Sequence, residues 1–191
     1  MDLLISWSTV TSLWVIFCVY WIISAMRVKR TQEMEPARRR FGTVGVLLAA
    51  AFLMFARRVN LGVLSRRFMP EGEAIKAVSV VLVAGGVAIS IWARRHIGQY
   101  WSARVALKED HQLIQSGPYA RVRHPIYSGI LLAMIGTGLF VGEWRALLGV
   151  LLLFTAHWQK ARREEKLLGI QFGSAYEEYC GRTGSLIPRL H

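Results

Sequence analysis

The sequence predicts an all-α chain, a polytopic transmembrane helical bundle of about five spans with a cytoplasmic C-terminal region. Three observations predict it. Hydrophobic residues make up 53% of the 191 positions, too many for an ordinary soluble domain. They gather in five uncharged runs: Leu3–Met26 (24 residues), Phe41–Ala56 (16), Ala77–Ala93 (17), His124–Gly142 (19) and Ala146–Gln159 (14). A bilayer-spanning helix needs about 20 mainly apolar residues, so the first and fourth runs qualify outright and the second and third with their flanks. The fifth is short and is read as continuing beyond the lipid as a helix. Finally, the basic residues alternate in density. With the N-terminus outside, segments Arg27–Arg40, Arg94–Arg123 and the tail after Gln159 are cytoplasmic and hold 18 of the 24 Lys and Arg. That asymmetry follows the positive-inside rule.

The net charge of +12 therefore needs no polynucleotide to explain it, and no aromatic-interleaved basic motif supports one. Nucleic acid is excluded as a partner, and no obligate protein partner is evident. Cys18 and Cys180 lie far apart and suggest neither a disulfide framework nor a CxxC site. The five histidines show no close metal-ligand spacing, so no metal is expected.

Taken in order, the first run begins after Asp2 rather than a basic region and is followed by Arg27-Val-Lys-Arg30, a stop-transfer cluster. It is expected to stay as a span rather than to be removed as a signal peptide. The second span returns outward. Four arginines (57, 58, 66 and 67) then flank an external loop closed by Pro70-Glu-Gly72 and count against this topology unless they meet lipid headgroups. The third helix, roughly Ala74–Ala93, carries Gly85-Gly86, small residues suited to close packing in lipid. These spans form a scaffold, residues 1–93. Residues 94–191 form the chemical region: a long polar loop, a helical hairpin of spans four and five, and C-terminal helices. Only Gly142-Glu-Trp-Arg145 separates those two spans. Gly129, Gly136 and Gly138 give the fourth a small-residue face expected to pack within the hairpin.

The hairpin brings His124 and Lys160 to one membrane face. Pro125 suits the first position of a helix and pushes His124 out of helical geometry, so the N–H groups of Ile126 and Tyr127 are left for an anion. A helix reaching about Phe172 puts Lys160 and Glu164 four residues apart on one face. A second short helix, Ser174–Cys180, carries Tyr176 and Tyr179. Glu165 is read as offsetting nearby arginines on a solvated face, and Tyr176 and Tyr179 as packing the tail on the core.

The pattern His111-Gln-Leu-Ile114, Ser116-Gly-Pro-Tyr119, Arg123-His-Pro-Ile-Tyr127, Glu164-Glu165, Phe172-Gly173, Tyr176, Tyr179 and Arg182-Thr183 resembles the isoprenylcysteine carboxyl methyltransferases. More broadly it is similar to the membrane methyltransferases that include phosphatidylethanolamine N-methyltransferases. The resemblance covers about the C-terminal half, from His111 to Pro188. It implies an S-adenosylmethionine enzyme whose cofactor, released as S-adenosylhomocysteine, is gripped by cytoplasmic elements rather than by a Rossmann sheet. Carried over by position, the cofactor contacts are His111, Leu113, Ile114, Tyr119, His124, Pro125, Tyr127 and Glu164, with Arg104 as a further polar contact. Lys160 stands where the family has a substrate-associated arginine. Lysine keeps the charge but lacks the bidentate fork.

Methyl transfer from a sulfonium is an in-line displacement, so the protein's work is alignment. Arg123 or His124 suits the cofactor carboxylate, Tyr127 or Tyr119 the sulfonium, and Glu164 the ammonium or ribose hydroxyls. A carboxylate nucleophile is already ionised and needs a cation to position it, Lys160 or Arg163. That favours carboxyl O-methylation of an isoprenylcysteine-like or other lipid-like substrate drawn from the membrane. A phospholipid N-methyltransferase is the alternative. A nicotinamide-dependent membrane reductase and a non-catalytic membrane protein are the remaining readings.

Overall fold

A computed structural model describes residues 5–26, 37–101 and 112–189, without the side chains of residues 37–41 and 99. Its six helices are α1 (Trp7–Ala25), α2 (Ala37–Phe55), α3 (Glu73–Ile97), α4 (Pro125–Val141), α5 (Trp144–Phe172) and α6 (Ser174–Arg182). Among the described residues there is no extended sheet, only two isolated bridges. The all-α class is as expected. By length and composition α1 and α3 are sufficient to cross a bilayer, while Gly42–Phe55 and Pro125–Val141 are shorter apolar helices. Large apolar side chains such as Ile16, Ile22, Leu48, Phe52, Val81 and Leu151 point outward, uncovered by protein. A surface of that kind belongs in lipid, and the protein is membrane-associated.

The helices stop where backbone chemistry requires. Pro125 opens α4. Gly142 closes it in the left-handed region (φ 65), and α5 begins two residues later. The Gly142 carbonyl accepts from Phe68 N (3.0 Å), and Trp144 N donates to Arg66 O (3.2 Å), so the α2–α3 connection is stitched to the hairpin turn. Arg67 joins in by donating to Val141 O (3.1 Å) at the α4 terminus. At its start α5 buries Arg145, whose guanidinium donates to Ala56 O at 2.8 Å and to Val59 O and Arg57 O at 3.3 Å. Arg145 Nε also stands 2.7 Å from Glu143 Oε2, close as an ion pair though not aligned as a hydrogen bond.

α4 lies at the centre, and its closest partner is α3. A Cβ on Gly129 would stand 2.6 Å from Gly86 O, and one on Gly136 would stand 2.7 Å from Ser79 O. On the facing helix, a Cβ on Gly86 would meet Ala133 Cα at 2.9 Å. The small-residue face thus serves the α3–α4 seam and not the hairpin, as the sequence alone suggested. Only Gly138 faces α5, where a Cβ would find ordinary contact with Val150 and Ala146. Adjacency in the chain guided the expectation; backbone-to-backbone approach decides the packing. α1 docks on this pair through Trp14, whose indole donates to Thr137 Oγ1 (3.0 Å), and α2 packs on α5 through Ala50 and Met54 against Gly149.

α5 runs unbroken for 29 residues, about 44 Å at ~1.5 Å per residue, and so projects well past the end of α4. Gly173 (φ 51) ends it and turns the chain into α6. The tail then folds back over the mouth of α4. Arg123 N donates to Gly184 O (2.9 Å), His124 N to Ser185 O (3.1 Å) and Ser128 Oγ to Leu186 O (2.6 Å).

Candidate active site

Beyond the seam, the ends of α3, α4, α5 and α6 enclose a cleft of about 860 Å³ of empty space, part of it open to solvent. Its lining includes the apolar and aromatic side chains of Ile97, Tyr100, Trp101, Leu113 and Ile114. Arg123, His124, Tyr127 and Glu164 supply polar groups, and Tyr119, Tyr176 and Tyr179 also line it.

Each polar group is placed by its helix. Tyr127 is the third residue of α4, one turn from His124, and the two rings stack nearly parallel (5.5 Å, 8°). From α5 the residues His157, Lys160 and Glu164 recur at helical spacing and face the same ring. His157 meets Tyr127 edge-on at 4.8 Å, and Lys160 Nζ stands 5.4 Å from the ring centroid. The Tyr127 hydroxyl donates to Glu164 Oε1 (2.7 Å), and His124 Nδ1 lies 3.5 Å from Glu164 Oε2. Burial opposes the charge of Glu164, but His124, Lys160 and Tyr127 outweigh it and its pKa is lowered. The carboxylate stays ionised, with room to accept further hydrogen bonds on the cleft side.

Glu165 faces a different way. Its Oε1 accepts from Arg123 Nε (2.9 Å) and Ser185 Oγ (2.8 Å) and stands 3.3 Å from His124 Nε2, off the line of a hydrogen bond. Burial works against its charge, yet His124, Ser185 and Arg123 pull its pKa down to about 2. A solvated-face role, the expectation for this residue, is therefore wrong. The returning tail covers the side of α5 that i-to-i+1 spacing assigned to solvent. For His124, burial disfavours the imidazolium, but the adjacent carboxylates of Glu164 and Glu165 prevail and raise its pKa.

Of the anticipated cofactor contacts, Leu113, Ile114, Tyr119, His124, Tyr127 and Glu164 come together in this one cleft. Pro125 is buried behind them at the start of α4. Arg104 and His111 fall outside the described residues. Neither Lys160 nor Arg163 is among the residues lining the cleft: Lys160 stands over the Tyr127 ring, while Arg163 turns back along α5 and donates to Gln159 O (3.0 Å). Tyr176 and Tyr179 are buried, as anticipated, and they also line the cleft. The Tyr179 hydroxyl donates to Tyr119 O (2.6 Å). That of Tyr176 has no hydrogen-bond partner beyond the weak thiol of Cys180. Sequence reasoning missed Trp101 and His157. For His157 the signal was available, since it is three residues before Lys160 on the stripe that ends at Glu164. Among the described residues no group of His, Cys, Asp and Glu could hold a metal ion.

The elements that build this cleft coincide with a known sequence family. The family model for the isoprenylcysteine carboxyl methyltransferase (ICMT) family matches residues 78–170, from α3 through most of α5. A protein-S-isoprenylcysteine O-methyltransferase of Schizosaccharomyces pombe is 39% identical over 96 residues, covering 49% of this chain and 41% of that protein. A probable protein-S-isoprenylcysteine O-methyltransferase of Oryza sativa subsp. indica is 30% identical, covering 60% of this chain and 61% of that protein. The cobalt-zinc-cadmium resistance protein CzcN of Cupriavidus metallidurans is 32% identical, covering 58% and 50%. The aligned part thus spans about half the length of these relatives.

Proposed function

We propose that this chain is an integral membrane, S-adenosylmethionine-dependent methyltransferase that esterifies the carboxylate of an isoprenylcysteine-like or other lipid-like acid. The observation that carries the reading is the meeting of Tyr127, His124 and Glu164 from two helices of the ICMT-matched segment, in a cleft that aromatic and apolar side chains also line. Its lining fits the cofactor: the Glu164 carboxylate with Arg123 and His124 nearby, apolar and aromatic surfaces, and a buried tyrosine hydroxyl lacking a strong partner. Glu164 accepts from the cofactor's ammonium or ribose hydroxyls, and Arg123 and His124 face its carboxylate. Leu113, Ile114 and Trp101 offer the slot for adenine, and Tyr119 and Tyr127 line the middle. Pro125 fixes the first turn of α4 on which His124 and Tyr127 are hung. Arg104 and His111 complete the grip by the family correspondence.

The bound cofactor supplies a methyl group already activated on a sulfonium. The side chains have no proton to remove from the acceptor, because its carboxylate is ionised at neutral pH. Lys160, and after it Arg163, hold that carboxylate at the rim; this is the alignment term, worth several kcal/mol in well-oriented reactions. A cation there would oppose the deprotonation that an amine acceptor needs, which favours the ester over the N-methyl product. In this reading the bundle crosses the membrane about five times with the N-terminus outside and the C-terminus and cleft on the cytoplasmic side. Residues 1–93 act as scaffold and 94–191 as catalytic region.

The test is transfer of labelled methyl from S-adenosylmethionine to N-acetyl farnesylcysteine or to phosphatidylethanolamine, with calorimetry of S-adenosylhomocysteine and NADPH alongside. The expected product is base-labile and forms on the prenylated acid. Methyl on the phospholipid amine would overturn the choice of acceptor, and binding of NADPH without S-adenosylhomocysteine would overturn the enzyme class.

A further inference from the structure

Glu165 is partly buried beside the cleft but does not line it, whereas two of its three polar neighbours, Arg123 and His124, do. The third, Ser185, belongs to the tail that crosses the mouth of α4. Arg123 reaches past Glu165 to donate to Thr183 O (2.6 Å), so the guanidinium ties the tail at a second point. One carboxylate therefore joins cleft-lining residues to the strap that crosses the start of α4. Resting on the reading of this cleft as a cofactor site, we propose that Glu165 is a positioning residue. It holds the C-terminal strap in place through Ser185 and Arg123, and it holds the His124 ring beside Glu164 so that the two meet the cofactor in fixed geometry.

The surroundings of His124 leave Glu165 with this task. From α5 it faces Glu164 and Glu165, with Lys160 acting on Glu164; from α4 it faces the Tyr127 ring. From α6, Tyr176 and Cys180 act on the neighbouring Arg123, and the strap residues 184–187 carry no titratable side chain. Two carboxylates thus favour protonation of one buried imidazole, against a burial cost that disfavours it. The sign follows directly. A raised pKa keeps the charged form as pH rises, and loss of one carboxylate lets the ring neutralise at lower pH.

The experiment titrates the His124 ring by 15N NMR of imidazole-labelled, ligand-free protein in detergent, with His124→Gln identifying the signal. The wild-type midpoint is expected above the ordinary 6.5. Glu165→Gln should lower it by about one pH unit, the shift that corresponds to about a tenfold change in the protonation equilibrium. The same variant should weaken S-adenosylhomocysteine binding near neutral pH by a similar factor, and less so below both midpoints. Ser185→Ala should leave the midpoint in place and speed tryptic cleavage at Arg182 and Arg189. A Glu165→Gln midpoint equal to wild type overturns the proposal, as does unchanged cleavage of Ser185→Ala. If Glu165→Gln does not fold, a wild-type midpoint at or below 6.5 overturns it alone. Failure of the cofactor reading looks different: S-adenosylhomocysteine does not bind the wild type, yet the ring titration still responds to Glu165.

Discussion

The two ends of this bundle each bury charge, and they use it in opposite ways. At the hairpin turn, Arg145 is 1% exposed, donates to the carbonyls of Ala56, Arg57 and Val59 and is ion-paired with Glu143. Its guanidinium ties the end of α2 to the start of α5, and it is not among the residues that line the cleft. At the cleft, Glu164 has a partner for each oxygen from only one side, and Tyr176 lacks a strong one. Buried charge alone therefore does not mark a functional site. What marks it is charge whose remaining bonding capacity faces an open volume.

Substitutions can separate the two uses. The largest effect is expected for Arg145→Met, which strands Glu143 and three carbonyls. Breaking a buried ion pair by removing one partner costs ~3–5 kcal/mol, so thermal unfolding in detergent should show a marked loss while the surviving folded protein binds S-adenosylhomocysteine normally. Weaker binding in that variant would mean that the ends are coupled. Next in size, Glu164→Ala should lower the unfolding temperature less than Arg145→Met does and weaken S-adenosylhomocysteine roughly ten- to a hundredfold, the ~1.5–3 kcal/mol of hydrogen bonds to a charged group. Calorimetry reads it directly. Lys160→Ala should spare cofactor affinity and raise KM for the prenylated acid by about fivefold, near the ~1 kcal/mol of a partly exposed ion pair.

A further effect is a pH dependence. Glu165 is depressed to about 2 from an ordinary 4.5, so it adds stability that is fully present above 4.5 and is lost as pH falls towards 2. Unfolding temperatures measured across that window should decline in the wild type and decline less in Glu165→Gln. Equal slopes would remove Glu165 from the account.

Most of the cleft's chemistry was legible because it is local. Pro125 announces a helix start, so His124 and Tyr127 could be placed one turn apart. Continuous helical spacing from His157 to Phe172 put Lys160 and Glu164 on one face. What was not legible depends on which segments meet. Glu165 reads as a surface residue until the tail returns to cover it, and nothing near it in sequence requires Ser185 to arrive there. Gly129 and Gly136 announce a close approach without naming the partner, and chain adjacency pointed to α5 where the backbone chose α3. The third helix runs four residues past Ala93, through Arg94, whose guanidinium donates to Ser24 O and Gly98 O at 2.7 Å. An uncharged run ends at its first arginine, whereas a helix does not if that arginine finds carbonyls.

The glycine seam also sets what can move. Helices that touch backbone to backbone cannot slide or tilt without collision, so α3 and α4 travel as one body. They carry Ile97, His124 and Tyr127, all of which line the cleft. Any breathing that admits a nucleotide from water or a lipid from the side must come from the remaining parts, namely the projecting end of α5, α6 and the strap. Amide hydrogen exchange should find the slowest protons at residues 83–90 and 129–137, and the fastest within the folded part beyond Gly173.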